Sequence, residues 1–260
     1  MLLCVDVGNT QTVLGVYEGG HLRVMWRISS EAHRSADEIK LHVKGLFSLD
    51  DIDCRHVESA VLSCVVPSLS GAWTDALNSL FAHKTLICNA RTVPEQLFKT
   101  TYPRKEEIGA DRVADAIAAR YMFGEPVVVV DFGTATNIEV IDKQGYFVGG
   151  IIAPGVNTSA DALFAHARKL SSTELFAPDQ PIGCSSADAI RSGIVFGEAE
   201  KVSGLVARVF QQLGYSSHIV ATGGLADVVV PHMRQHVAVC PYLTLEGMRI
   251  FHDSVTRVSK

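Results

Sequence analysis

Apolar runs and helical periodicities alternate along this chain in an order that occurs twice. Leu2, Leu3, Cys4 and Val5 form an unbroken apolar run that stops at Asp6, and the four valines 127–130 form another that stops at Asp131. Runs without polar alternation read as strands covered on both faces. After the first, residues 13–17 and 21–28 flank Glu18-Gly19-Gly20, a strand, turn, strand pattern. A helix over 35–47 follows, capped by Ser35 or Asp37, then a strand over 57–66 ending at Pro67 and a helix over 70–81. After Asp131 the order recurs: a strand over 137–141, a turn at Lys143-Gln144-Gly145, and a strand over 146–148. A helix from Thr158, a helix over 186–210, a strand over 218–221 and a last helix over 244–255 complete the chain. The pattern predicts two α/β halves with no linker between them.

Composition narrows the function classes. Of 260 residues, 47% are hydrophobic and 20% charged, which suits an ordinary globular protein. A net charge of −5 and the absence of any Lys/Arg run argue against a nucleic-acid partner. Asp6 interrupts the first apolar stretch and no basic segment precedes it, so no signal peptide is expected. No window approaches the ~20 apolar residues of a membrane span. Cys4, Cys54, Cys64, Cys88, Cys184 and Cys240 form no CxxC pair, and buried thiols in a reducing cytoplasm are the expectation.

The candidate chemistry sits where strands end. Asp6-Val7-Gly8-Asn9-Thr10 and Asp131-Phe132-Gly133-Thr134-Ala135-Thr136 each place a carboxylate at a strand end, followed by a glycine and small hydroxyl or amide side chains. Such a turn brings backbone N–H groups close to an anion, and the carboxylate can hold its cation. Ile108-Gly109-Ala110-Asp111-Arg112 opens a helix, where exposed N–H donors favour anions. On its own that segment reads equally as a helix cap with a surface ion partner. Gly149 to Gly155 is glycine-rich beyond the needs of a hairpin exit, and Thr222-Gly223-Gly224 follows a strand, so each is a further place for backbone to meet a ligand. There is no GxxxxGK[ST] and no GxGxxG after a strand. His232 and His236 lack a third ligand, Trp26 and Trp73 read as core or interface residues, and Ser63-Cys64 has no evident base beside it.

Together these segments resemble the ATP-binding superfamily of sugar kinases, heat-shock chaperones and actin. Gly109-Ala110-Asp111-Arg112 placed shortly before Asp131-Phe132-Gly133-Thr134-Ala135-Thr136 narrows the resemblance to type III pantothenate kinases. It implies two duplicated ribonuclease-H-like (actin-like ATPase) domains, each a mixed sheet flanked by helices. The first would cover residues 1–118 with the 244–255 helix packed back on it, and the second residues 119–243.

The implied reaction is ATP-dependent phosphorylation of pantothenate to 4′-phosphopantothenate, the first step of coenzyme A synthesis. Asp6, Val7, Gly8, Asn9, Thr10, Gln11, Thr12 and Val13 would form the first phosphate-binding loop, with Asp6 near the magnesium of MgATP. Thr134 would contact ATP, and Asp131 would hold a monovalent cation, potassium or ammonium. Tyr102, Gly109, Ala110, Asp111 and Arg112 would line the pantothenate site, with Asp111 as general base. Ser186 stands where the family has a substrate-contacting Thr, and Cys184 and Leu170-Ser171 also depart from its pattern. The resemblance further implies a homodimer in which Ser186 reaches the partner's substrate pocket; the plain alternative makes Ser186 a helix cap. Rival readings are a kinase for another small hydroxy acid and a non-catalytic ATP-binding transcriptional regulator. Intact Asp111 and Asp131 favour an enzyme.

Overall fold

The structure is a computed structural model that describes residues 1–166 and 174–257; Leu170 and Ser171 lie outside the described residues. The chain divides into two compact units, Met1–Ala118 with Leu243–Lys260, and Ala119–Tyr242.

In the first unit, β1 (Leu2–Val7), β2 (Gln11–Glu18) and β3 (His21–Ser29) form an antiparallel meander, and α1 (Ala36–Leu49) leads to β4 (Ser59–Cys64), which pairs parallel to β1. After α2 (Pro67–Phe81) comes the short β5 (Leu86–Ile87), giving the sheet order β3-β2-β1-β4-β5. The apolar side chains of β1 alternate between two covered faces, which is why the run needs no polar positions. Leu3, Val5 and Val7 join Ile39, Val43 and Phe47 of α1 and Trp73 and Leu77 of α2 in one core. The C-terminal helix, named α7 below (Leu243–Arg257), packs against β1 and β4. Ser35 caps α1 through a reciprocal pair with Glu38, worth about 1 kcal/mol. Pro67 does not merely end a strand: it opens α2 at the first helical position, where its missing N–H costs nothing. The two-residue β6 (Lys99–Thr100) precedes α3 (Ala110–Phe123).

The second unit repeats the plan. β7 (Val127–Phe132), β8 (Ala135–Ile141) and β9 (Tyr146–Pro154) form an antiparallel meander. α4 (Val156–His166), the long α5 (Ser186–Leu213), β10 (His218–Thr222), the short α6 (Ala226–Val229) and β11 (Ala238–Val239) follow. Here the strands run β11-β10-β7-β8-β9, with β10 parallel to β7, which read backwards is the order of the first sheet. Val128 and Val130 pack with Val202 and Val206 of α5. The glycine-rich stretch from Gly149 is strand up to Pro154. Gly149 and Gly150 are paired within β9 against Val140 and Glu139, and the chain leaves the strand only at Gly155. Among the described residues no helix is long and apolar enough to cross a membrane.

Candidate active site

The two strand-end aspartates occupy equivalent places. Asp6 sits one residue before the end of β1 in register with Ser63 of the parallel strand β4, and Asp131 sits near the end of β7 in register with Thr222 of the parallel strand β10. In each unit a carboxylate therefore faces a hydroxyl residue at the carboxyl edge of a parallel pair, where open α/β sheets bind ligands.

In the first unit, Ser63 Oγ donates to Asp6 Oδ1 at 2.8 Å. This corrects the expectation that Ser63-Cys64 has no base beside it; the hydroxyl serves to orient Asp6. Val7 and Thr12 are buried in the strands, and Thr12 Oγ1 lies 2.7 Å from Ser30 Oγ. Val13 lies within β2, so the turn itself is Gly8 to Thr10, closed by Gly8 N–H donating to the Gln11 carbonyl at 3.0 Å. Asn9, Thr10 and Gln11 are exposed.

Asp111 is brought to the same edge. Val65 N–H donates to the Val7 carbonyl at 3.0 Å, and a β-carbon on Gly109 would lie 3.6 Å from Val65 Cγ1. The Gly109 carbonyl accepts from Val113 N–H at 3.1 Å and so starts the first turn of α3. Ala110 is buried, and Asp111 Oδ1 accepts from Arg112 N–H at 2.7 Å. Burial pushes the Asp111 carboxyl above the usual carboxylate range, against the lowering pull of the Arg112 N–H and guanidinium. A cap placed only for stability at a helix N-terminus would instead sit low. Arg112 is 7% exposed. Half-buried Tyr102 donates its N–H to Thr100 Oγ1 at 3.0 Å. Thr244 Oγ1 on α7 donates to Asp115 Oδ1 at 2.7 Å, tying α3 to the C-terminal helix.

In the second unit the turn after Asp131 is closed by Gly133 N–H donating to the Ala135 carbonyl at 3.1 Å. Gly223 has φ +91°, and a β-carbon there would stand 2.5 Å from Asp131 Oδ1. Only glycine adopts that backbone and leaves the carboxylate its space. The Thr134 carbonyl accepts from Thr158 Oγ1 at 2.6 Å and from Gly155 N–H at 3.2 Å.

Ser186 is exposed at the start of α5, but it is not the cap. Ser185 is: its Oγ accepts from Asp188 N–H at 3.1 Å. Ser186 is thereby released from the structural role the sequence offered it. Among the described residues no group of three His, Cys, Asp or Glu is placed to hold a metal ion, and His232 packs edge-on to Phe196 at 5.0 Å.

A family model described as type III pantothenate kinase matches residues 2–208. A type III pantothenate kinase of Roseiflexus castenholzii is 42% identical over 253 residues, covering 97% of this chain and 98% of that relative. Two solved structures share the fold. Component A of (R)-2-hydroxyglutaryl-CoA dehydratase from Acidaminococcus fermentans has a TM-score of 0.57 at 14% identity, covering 95% of this chain and 94% of that one. A polyphosphate/ATP-glucomannokinase from Arthrobacter has a TM-score of 0.51 at 15% identity, covering 97% and 98%. The fold is thus that of actin-like ATPases and sugar kinases, and the chain, matched by the model over most of its length, belongs to the type III pantothenate kinase family.

Proposed function

We propose that this chain transfers the γ-phosphoryl group of MgATP to the hydroxyl of pantothenate, giving 4′-phosphopantothenate and ADP. The observation that carries this reading is the near-full-length match to type III pantothenate kinases together with intact Asp6, Asp111 and Asp131. Phosphoryl transfer asks a protein for positioning, charge neutralisation and an acceptor for the hydroxyl proton. The Gly8 to Thr10 turn, exposed at Asn9 and Thr10, takes phosphate oxygens, while Asp6, oriented by Ser63, meets the magnesium that arrives with ATP.

Asp111 takes the proton as the oxygen–phosphorus bond forms and the bond to ADP breaks. Its raised proton affinity suits that role better than an ordinary surface carboxylate. Arg112 neutralises the substrate carboxylate or the migrating phosphoryl group, and Tyr102, Gly109 and Ala110 shape the acceptor pocket.

The Asp131 carboxylate, with the space that Gly223 leaves beside it, offers hard oxygen donors fit for potassium or ammonium. Such an ion would lower the cost of bringing anionic ATP and an anionic acceptor together. Thr134 contacts the nucleotide beside it. The working form is a cytoplasmic homodimer, with Ser186 contacting pantothenate in the partner's pocket.

The test is a coupled assay of ADP release against pantothenate and a panel of small hydroxy acids and sugars, with and without potassium. Potassium-dependent turnover restricted to pantothenate is expected. Turnover of another acceptor alone would reassign the substrate, and nucleotide binding without turnover of any acceptor would favour a regulator.

A further inference from the structure

The second unit holds an ion pair with a buried carboxylate, to which the proposed reaction gives no part. Glu198 on α5 is 5% exposed. Its Oε1 accepts from Thr136 Oγ1 at 2.7 Å, and its Oε2 pairs at 2.6 Å with Lys201 Nζ, one turn further along the helix. Lys201 Nζ also donates to the Pro154 carbonyl at 2.7 Å. Thr136 and Pro154 belong to neighbouring strands, with Thr136 opposite Ala153 and Ala135 opposite Pro154. One turn of α5 therefore grips both strands of the β8–β9 hairpin.

The grip falls at the end of the hairpin where the Gly133-Thr134 turn lies. Thr136 is two residues past Thr134, and Pro154 directly precedes Gly155, whose N–H donates to the Thr134 carbonyl at 3.2 Å. The fit is close: a β-carbon on Gly155 would stand 2.6 Å from the Thr134 oxygen. A buried carboxylate is costly unless paired and hydrogen-bonded, and apolar residues would hold a helix to a hairpin as well. What directional bonds add is a fixed angle and offset between the two strands.

We propose that Glu198 and Lys201 are positioning residues that set the shape of the Gly133-Thr134 turn, and through it the affinity for nucleotide phosphates. The proposal rests on the reading of that turn as a nucleotide contact. Neither side chain needs to touch the substrate; each acts on the turn through Thr136 or Pro154.

The test measures binding of a fluorescent ATP analogue with magnesium to the full chain, separately from turnover. Glu198→Gln keeps an acceptor for Thr136 and loses the charge; Lys201→Met keeps the stem and loses both bonds. In each, the nucleotide Kd and the KM for ATP should rise roughly 10-fold, as when the supports of a bound group are removed, with the KM for pantothenate unchanged. The double variant should be no weaker than either single, because the two groups act as one clamp. Lys201→Arg should recover much of the affinity. A pair that serves only stability would lower the melting temperature and leave nucleotide Kd unchanged; that outcome, or additive losses in the double variant, overturns the proposal. Lys201, partly exposed, gives a folded variant should Glu198→Gln fail to fold. Wild-type chain that binds nucleotide but does not phosphorylate pantothenate defeats the functional reading alone, since the Kd comparison still judges the clamp. Wild-type chain that binds no nucleotide defeats the clamp.

Discussion

A β-carbon on residue 109 would stand 2.5 Å from Asp111 Oδ1, so the carboxylate folds back over the glycine two positions before it. The obstruction would be the tip of a side chain, which can swing away, and not backbone. Gly109→Ala should therefore fold with a near-normal melting temperature while moving the carboxylate off its position. Displacing a reacting group by about 1 Å can cost up to about 10²-fold, so kcat should fall by about one to two orders of magnitude. Wild-type kcat in a folded Gly109→Ala protein would show that the carboxylate's position there is immaterial.

Asp111→Asn separates chemistry from stability through opposite signs. Loss of a positioned base should lower kcat by ~10²- to 10⁴-fold, with nucleotide binding retained. Burial raises the Asp111 carboxyl above its unfolded value, so between the two values the folded chain holds more protons than the unfolded chain. That contribution to stability is present at low pH and is lost as pH rises through the raised value. Asparagine cannot titrate, so the variant should lose this part of the pH dependence and be no less stable than wild type at neutral pH. Urea midpoints across the acid range, measured beside kcat/KM, check both. The acid limb of the wild-type profile should lie above the ordinary aspartate range. Full turnover by the variant would remove Asp111 from the reaction.

The long apolar runs were legible because both faces of β1 and β7 are covered, which leaves the chain no polar positions to disguise. The duplication was legible for the same reason. What the sequence hid depends on partners distant along the chain. Ser63 looked idle because Asp6 is brought beside it only by parallel pairing of β1 with β4. The pairing of Gly149 and Gly150 with Val140 and Glu139 was hidden because nothing local shows it. Glu198 passes in the sequence for one more polar position on a helix, and only the fold buries it against Thr136. The plain alternative for Ser186 put the cap of α5 one residue late, since Ser185 and Ser186 are chemically alike and the backbone geometry alone chooses between them.

Activity should require potassium or ammonium, and Asp131→Ala should remove most activity together with that requirement. The motivating feature is the carboxylate left room by Gly223 at a strand end. Initial rates in sodium-only and potassium buffers, for both proteins, provide the comparison. Full wild-type activity in sodium sinks the monovalent ion. If Asp131 instead holds magnesium, the variant should need more magnesium while keeping its response to potassium.

Ser186→Ala should raise the KM for pantothenate with little change in melting temperature, because the capping bond belongs to Ser185. A Ser185→Ala protein should do the reverse, losing about 1 kcal/mol of stability with the cap and keeping its KM. If Ser186 serves the partner's pocket, the two sites of a dimer can be rebuilt from two defective chains. Subunits inactivated by Asp111→Asn are mixed with subunits carrying Ser186→Trp, each inactive alone. In a mixed dimer, one pocket combines the Asp111→Asn lesion with the bulky residue, and the other combines an intact Asp111 with an intact Ser186. Activity should therefore return on mixing, approaching one working site per mixed dimer. Subunit exchange is followed independently by mass spectrometry of differently tagged chains. Exchange without any return of activity would place Ser186 either in its own chain's pocket or outside the site altogether.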